Sequence, residues 1–321
     1  MKNCSVIIRS FNEEKHIGRL LVGIMEQTVK DVEIILVDSG STDATVSIAS
    51  QFPAKIVNIE PADFSFGRAL NMGCAVATKE FLVMASSHVF PVHHDWLEQL
   101  LSPFDDPKIG LVYGRQLGGA TTKFTEHQIF AQWFPDTSVK RQAHPFCNNA
   151  NAAIRRNLWE KMPYDEELTG LEDLDWANRL LKEGYFLSYK AGAAIIHLHD
   201  ETPSNIYNRY RREAIAHKLT FPEQRFSFWE FVKLTSSNII SDYYHAAHDG
   251  CLLKNIVDIP MFRLLQFWGT YRGFKMDGSI NRKLKQTFYY PRNFTRLEQG
   301  ELTDSSKRIE YDRKITDYIN E

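Results

Sequence analysis

The stretch VEIILVDSGSTDATVSIASQF, Val32 to Phe52, decides how this chain is read. From Val32 to Val37 it is a largely apolar, β-branched run of the kind that forms a strand buried on both faces. A turn rich in Asp, Ser and Gly follows. A helix then starts, with Ser41 or Thr42 as the expected cap.

The same unit recurs on either side. CSVIIRS is a short buried strand, and FNEEKHIGRLLVGIMEQ places Ile17, Leu20, Leu21, Ile24 and Met25 at helical spacing. AKIVNIE predicts a third strand, residues 67–77 a helix, and EFLVMA a fourth strand. Alternating βα units predict an α/β fold with a mostly parallel, doubly wound sheet, flanked by helices, that receives ligands at the carboxyl ends of its strands. Arg9, Asp38 and Ser86 fall at those ends. Residues 104–151 show no regular period. TGLEDLDWANRLLKEGY predicts a helix with Leu171, Leu174, Leu180 and Leu181 on one face and Gly184 ending it. AGAAIIHLHDETP predicts a further strand. Near Ser204 the composition turns aromatic and basic with helical spacing, which sets a boundary: 1–204 as the main domain (halves about 1–103 and 104–204) and 205–321 as a helical C-terminal region.

The totals narrow the function. With 321 residues and 43% hydrophobic content the chain can bury a large core. Lys+Arg 38 against Asp+Glu 40 provides no global positive field for nucleic acid. The four cysteines are scattered without C-x-x-C spacing, so neither a zinc knuckle nor a disulfide framework is indicated, and a reducing cytoplasm is the expected location, including the inner face of the membrane. The N-terminus lacks a secretory apolar segment. The longest apolar stretch, Ile256 to Trp268, is interrupted by Asp258, Pro260 and Arg263, so no spanning helix is expected.

VIIRSFNEE, VDSGSTDAT and GLEDLDW, in this order over roughly the first 205 residues, resemble family 2 glycosyltransferases of the GT-A fold, in the bacterial surface-polysaccharide (capsule, O-antigen, rhamnosyltransferase-like) branch. The resemblance implies inverting transfer of a sugar from a nucleotide-sugar donor to a hydroxyl of a glycan or lipid-linked acceptor. It places Arg9, Phe11, Asn12, Glu13, Asp38 and Ser39 around the nucleotide, with Asp38 reading the base. Read alone, Asp38 and Asp43 shape a turn and cap a helix. In DFSFGRALNMGCAVA it turns Arg68 and Asn71 toward the donor, and in FCNNANAAIRR it places Asn149 at the sugar. Solvated helix side chains are the plain alternative for Arg68.

An acceptor hydroxyl needs a base as the new bond forms. T-x-x-E in TGLE reads as a capping box from Thr169 to Glu172, which leaves Asp173 as the base, its charge favoured by the helix N-terminus. Asp175 and Trp176 are expected to support the acceptor. NRYRRE only loosely matches the Q-x-x-R-W of processive relatives, which speaks against processive polymerisation; Arg212, with Arg209 and Arg211, is a candidate for the diphosphate. MASSHVFP puts Ser86, Ser87 and His88 where GT-A enzymes carry D-x-D. Three readings of His88 stand open: a ligand, with His199 of the H-x-H pair, for a divalent ion such as Mn2+ or Mg2+; a direct contact to diphosphate; or a hydrogen bond to a loop. FSFWEFVKL, FRLLQFWGTYRGF and NRKLKQTFYYPR predict peripheral membrane contact or self-association, with a packed helical subdomain as the alternative. Two other functions compete: a catalytically silent glycan binder, against which the intact LEDLDW stands, and a nucleotidyltransferase, which would need a basic Gly-rich loop where RSFNEEKHIG is acidic.

Overall fold

A computed structural model describes residues 2–199, 201–276, 309 and 311. The segment NRKLKQTFYYPR lies outside the described residues. Nine strands form one sheet: β1 (Cys4–Ser10), β2 (Val32–Asp38), β3 (Ala54–Asn58), β4 (Phe81–Ser86), β5 (Val89–Pro91), β6 (Ile109–Gly118), β7 (Val139–Gln142), β8 (Asn151–Arg155) and β9 (Phe186–His197). Their order is β3-β2-β1-β4-β8-β6-β9-β5, with β7 also pairing β9. The first four strands are parallel, as the apolar runs predict. Beyond β4 the sheet is mixed: β8 runs antiparallel to both β4 and β6, while β6 and β9 are parallel.

Helices α1 (Ile17–Met25), α2 (Thr45–Ala49), α3 (Phe66–Val76), α4 (Trp96–Leu101), α5 (Phe124–Trp133), α6 (Arg156–Lys161) and α7 (Glu172–Lys182) connect these strands. Two buried clusters, built around Val6, Ile8, Leu20 and Leu36 and around Ile7, Ile35, Leu70 and Trp176, hold the layers together. Alternate residues of β1 supply opposite clusters, as the two-residue period of a strand requires.

Beyond β9 follow the C-terminal helices α8 (Pro203–Thr220), α9 (Phe228–His248), α10 (Leu252–Asn255) and α11 (Asp258–Phe274). α11 packs closely on α8: a Cβ on Gly269 would stand 2.6 Å from the carbonyl oxygen of Tyr207. The buried pair Arg263 and Asp242, bonded through two nitrogens at 2.8 and 2.9 Å, ties α11 to α9. Among the described residues no helix is long and apolar enough to cross a membrane.

Three local expectations are corrected. The segment read as irregular, 104–151, contains β6, α5 and β7. Helix α2 starts at Thr45, later than Ser41 or Thr42 would set it; Asp43 accepts the Thr45 N–H at 3.0 Å. The buried face of α7 is Asp173, Trp176, Ala177 and Leu180, with Leu174 and Leu181 only half-buried. Gly184, at φ +79°, does terminate that helix.

Candidate active site

The site gathers at the carboxyl ends of the parallel strands, where α7 and α8 close over it. Arg9, at the end of β1, reaches Glu172 Oε1 at 3.0 Å. Its guanidinium lies 4.8 Å from the ring centre of Phe66, and that of Arg212, on α8, lies 4.7 Å from the same ring. Phe66 thus brings two cations to one place, a geometry that the ring quadrupole favours.

The capping box is not formed. Leu171 occupies the N-cap of α7 in the left-handed region (φ 54°) and makes no side-chain cap. The hydroxyl of Thr169 donates instead to the Arg212 carbonyl at 3.2 Å. Glu172 still has a structural task, the ion pair with Arg9. Asp173 is held from two sides: the Asn149 N–H donates to Oδ2 at 3.0 Å, and the Leu174 N–H to Oδ1 at 2.8 Å. The helix N-terminus was expected to favour its charge. Burial, reinforced by the adjacent Glu172 carboxylate, prevails and pushes the Asp173 carboxyl up to about 7.

Several expected contacts are used by the protein itself. Trp176 is fully buried and its indole N–H donates to the Met162 carbonyl at 2.6 Å, so it is core rather than acceptor surface. Asp175 pairs with Arg179 at 2.8 Å. Asn71 makes four hydrogen bonds, accepting from the Trp159 indole and Tyr164 N–H and donating to the Tyr164 carbonyl and Glu166, which removes it from the donor set. Arg68 is exposed on α3. Asp38 accepts from the Gly40 and Ser41 N–H groups and from the Ser41 hydroxyl, the turn-shaping role; buried Ser39 donates to the Ser10 carbonyl. Asn12, at φ 55°, accepts the Thr42 N–H at 2.8 Å and so locks the β1 loop to the β2 turn. Phe11 lies half-buried beside it. Ser86 is half-buried at the end of β4, and Ser87 is buried. Arg209 is enclosed between Glu126 and Glu201, at 2.9 and 2.7 Å, and is no diphosphate ligand.

A histidine cluster gathers around His88. The rings of His88 and His197 are 5.1 Å apart, those of His197 and His199 4.1 Å, and those of His88 and His199 5.9 Å. One ligand atom from each of the three lies within 4.8 Å of the others. Nδ1 of His88 meets Glu13 at 2.7 Å, Nδ1 of His197 meets Gln116 Oε1 at 2.7 Å, and Nδ1 of His199 meets Glu126 at 2.6 Å. Glu13 is therefore a partner of His88 rather than of a nucleotide. Burial opposes a charge on His88, but Glu13 outweighs it and the net direction is upward; burial drives His197 well down. The donor set suits a divalent ion that accepts nitrogen ligands. The sequence singled out His88 and His199. Alternation along β9 is what signals His197, whereas Glu126 and Gln116 sit in the segment that carried no readable period.

A pinned, buried carboxylate thus lies close to two guanidinium groups at the carboxyl edge of the sheet. Residues 5–162, just under half of the chain, match the family model described as glycosyl transferase family 2. The chain is 30% identical over 203 residues to the O-antigen chain rhamnosyltransferase WbaN of Salmonella anatum, an alignment covering 60% of this chain and 64% of that one, just under two thirds of the relative's length. It is 29% identical over 225 residues to the O-antigen chain rhamnosyltransferase RfbN of Salmonella typhimurium, covering 66% and 72%. The mannosyltransferase PcManGT of Pyrobaculum calidifontis, solved in complex with GDP-Man and Mn2+, shares the fold with a TM-score of 0.57 at 18% identity over 91% of this chain and 88% of that one. S. aureus TarS 1–349 in complex with UDP-GlcNAc gives 0.51 at 16% identity over 90% and 91%.

Proposed function

We propose that this chain is a glycosyltransferase that inverts the anomeric carbon of a nucleotide-sugar donor while transferring the sugar to a hydroxyl of a glycan or lipid-linked acceptor in bacterial surface-polysaccharide synthesis. The observation that carries this reading is Asp173: a buried carboxylate, fixed by two backbone N–H groups, whose proton affinity is raised into the range of an effective general base. As the acceptor oxygen bonds to the anomeric carbon, Asp173 takes the hydroxyl proton and the nucleoside diphosphate departs on the opposite face. Arg9 and Arg212 supply positive charge for that leaving group. The two O-antigen rhamnosyltransferases among its relatives support a deoxyhexose as the sugar. Asp38 reads the base through the carboxylate lone pairs that its own turn leaves open.

The exposed side chains of Trp229, Ile240 and Tyr244 on α9, with Leu253 and Val257 beyond it, support contact with an anionic membrane that presents a lipid-linked acceptor.

The deciding experiment incubates the protein with UDP-, GDP-, dTDP- and CMP-sugars and follows nucleotide release and the melting temperature. One nucleotide class should raise the melting temperature and be hydrolysed slowly. If no sugar nucleotide shifts the melt and none is consumed with any lipid-linked acceptor, the reading fails.

A further inference from the structure

From the ring nitrogens of this pocket we infer that His88, His197 and His199 together bind one divalent transition-metal ion of the zinc and cobalt type, in clear preference to magnesium. The hydrogen-bond pattern leads there. The nearest Nδ1 partners of the three rings, Glu13 carboxylate, Gln116 Oε1 and Glu126 carboxylate, are acceptors at 2.6 to 2.7 Å, closer than the 3.5 Å approach of Arg209 to His199 Nδ1, so each ring presents its proton at Nδ1. A neutral imidazole protonated at Nδ1 carries its lone pair on Nε2. One ring nitrogen of each histidine lies within 4.8 Å of those of the other two, close enough for a single ion to gather all three rings. His197 makes the case sharpest: the residue is only 5% exposed, and its Nε2 is buried with no hydrogen-bond partner. A buried polar atom without a partner costs about 1–3 kcal/mol unless something fills the gap.

Three ring nitrogens so close need a Lewis acid or a shared donor. Protonating all three rings is no solution, because neighbouring imidazolium charges at 4.1 to 5.9 Å between ring centres repel each other. A dication satisfies all three at once. The surroundings add charge of the right sign: Glu13, Glu126 and Glu201 against Arg209 leave a local balance of about −2 for a +2 ion. Each Nδ1 contact is also the outer hydrogen bond that ligating histidines normally make, which fixes the ring and raises its basicity. Zinc-to-nitrogen distances are about 2.0–2.1 Å, so the rings close inward slightly on binding. Imidazole ligands with no carboxylate suit zinc, cobalt, nickel and copper, whereas magnesium demands oxygen. The inference rests on the glycosyltransferase reading only for the ion's purpose, which is to meet the departing diphosphate; the ion itself needs no donor to bind.

The test uses the untagged full chain, stripped with chelator and titrated with cobalt(II) while visible absorption is followed, then with zinc, manganese and magnesium by calorimetry. One equivalent of cobalt should produce the d–d bands of a nitrogen-ligated, low-coordinate ion, and zinc should bind at least ~100-fold more tightly than magnesium. His197→Ala should abolish the bands with the melting temperature retained. Should that variant not fold, Glu13→Gln, which alters only an outer hydrogen bond, should weaken cobalt binding about 10- to 100-fold. Absence of the bands, equal affinity for magnesium and zinc, or affinity unchanged in both variants overturns the inference. A melting shift with sugar nucleotides in chelator, alongside no metal binding, sinks the metal site and leaves the transferase reading intact; metal binding without any nucleotide effect does the reverse.

Discussion

The Asn149 backbone N–H points at Oδ2 of Asp173 from 3.0 Å, and this one contact joins the loop before β8 to the first turn of α7. It fixes the carboxylate's orientation and favours its charged form, but burial and the adjacent Glu172 outweigh it and raise the proton affinity. Asp173→Asn should therefore keep the fold and donor binding but lower transfer by ~100-fold or more. Single-turnover kinetics with a saturating donor checks this; near-normal turnover would move the base elsewhere. The same shift predicts the pH profile. A base is active when deprotonated, so transfer should rise with pH through about 7 and fall tenfold per unit well below it.

Glu172 should behave differently from its neighbour. Glu172→Gln removes the partner of Arg9, a pair whose side chains are only 14% and 6% exposed, and leaves a buried guanidinium without its counter-charge. The expected cost is about 3 kcal/mol of stability, read by urea denaturation. The loss of activity should be smaller than in Asp173→Asn. An inactive, fully stable Glu172→Gln would reverse the two roles.

Glu126 holds both His199 and Arg209. Burial works to raise its pKa, but the contacts from the His199 ring and the Arg209 guanidinium prevail and bring it down to about 2. A depressed acid stabilises the fold above its unfolded value, about 4.3, and that contribution disappears as pH falls through the folded value. Glu126→Gln should therefore melt well below the parent at pH 7. The gap should shrink as pH drops from about 4 toward 2. A gap that stays constant over that range would show that the charge of Glu126 contributes nothing.

The parallel half of the sheet was legible because β1, β2 and β4 are continuous apolar runs that no helix of that length would carry. β6 was not: Gly110, Gly114 and Gly118 break its pattern, and they are there for close approach, since a Cβ on Gly114 would lie 2.2 Å from the Ala193 carbonyl. Within the site, Asp173 was readable as a local motif. The supposed cap was not, because the Thr169 hydroxyl is claimed by the Arg212 carbonyl, 43 residues away. Trp176 misled for a similar reason: a polar handle on a large ring invites a ligand role, but its N–H meets a backbone carbonyl in the core. Contacts such as Glu126 with His199, 73 residues apart, leave no trace in local spacing.

Gly40 tests the donor turn. It sits at φ +87°, and a Cβ there would stand 2.7 Å from the Pro61 ring. Both the left-handed backbone and the clash oppose a side chain, so Gly40→Ala should cost about 1–2 kcal/mol. The strain falls on the turn that presents the N–H groups of Gly40 and Ser41 to Asp38. Sugar-nucleotide affinity should fall together with stability, whereas loss of stability with unchanged affinity would detach this turn from the donor.

The exposed apolar side chains of the C-terminal helices give the last test. Trp229 is 78% exposed and Leu253 86%, values that a helical subdomain packed only on itself does not require. If they enter a bilayer surface, the protein should sediment with anionic vesicles at low salt, and the bound fraction should fall as salt screens the basic residues of NRKLKQTFYYPR. Trp229→Ala combined with Leu253→Ser should weaken binding at every salt concentration, since each change removes buried apolar area rather than charge. Sedimentation that is equal for the parent and the double variant would show that these side chains do not touch lipid, and no sedimentation at low salt would leave packing within the helical region as their only role.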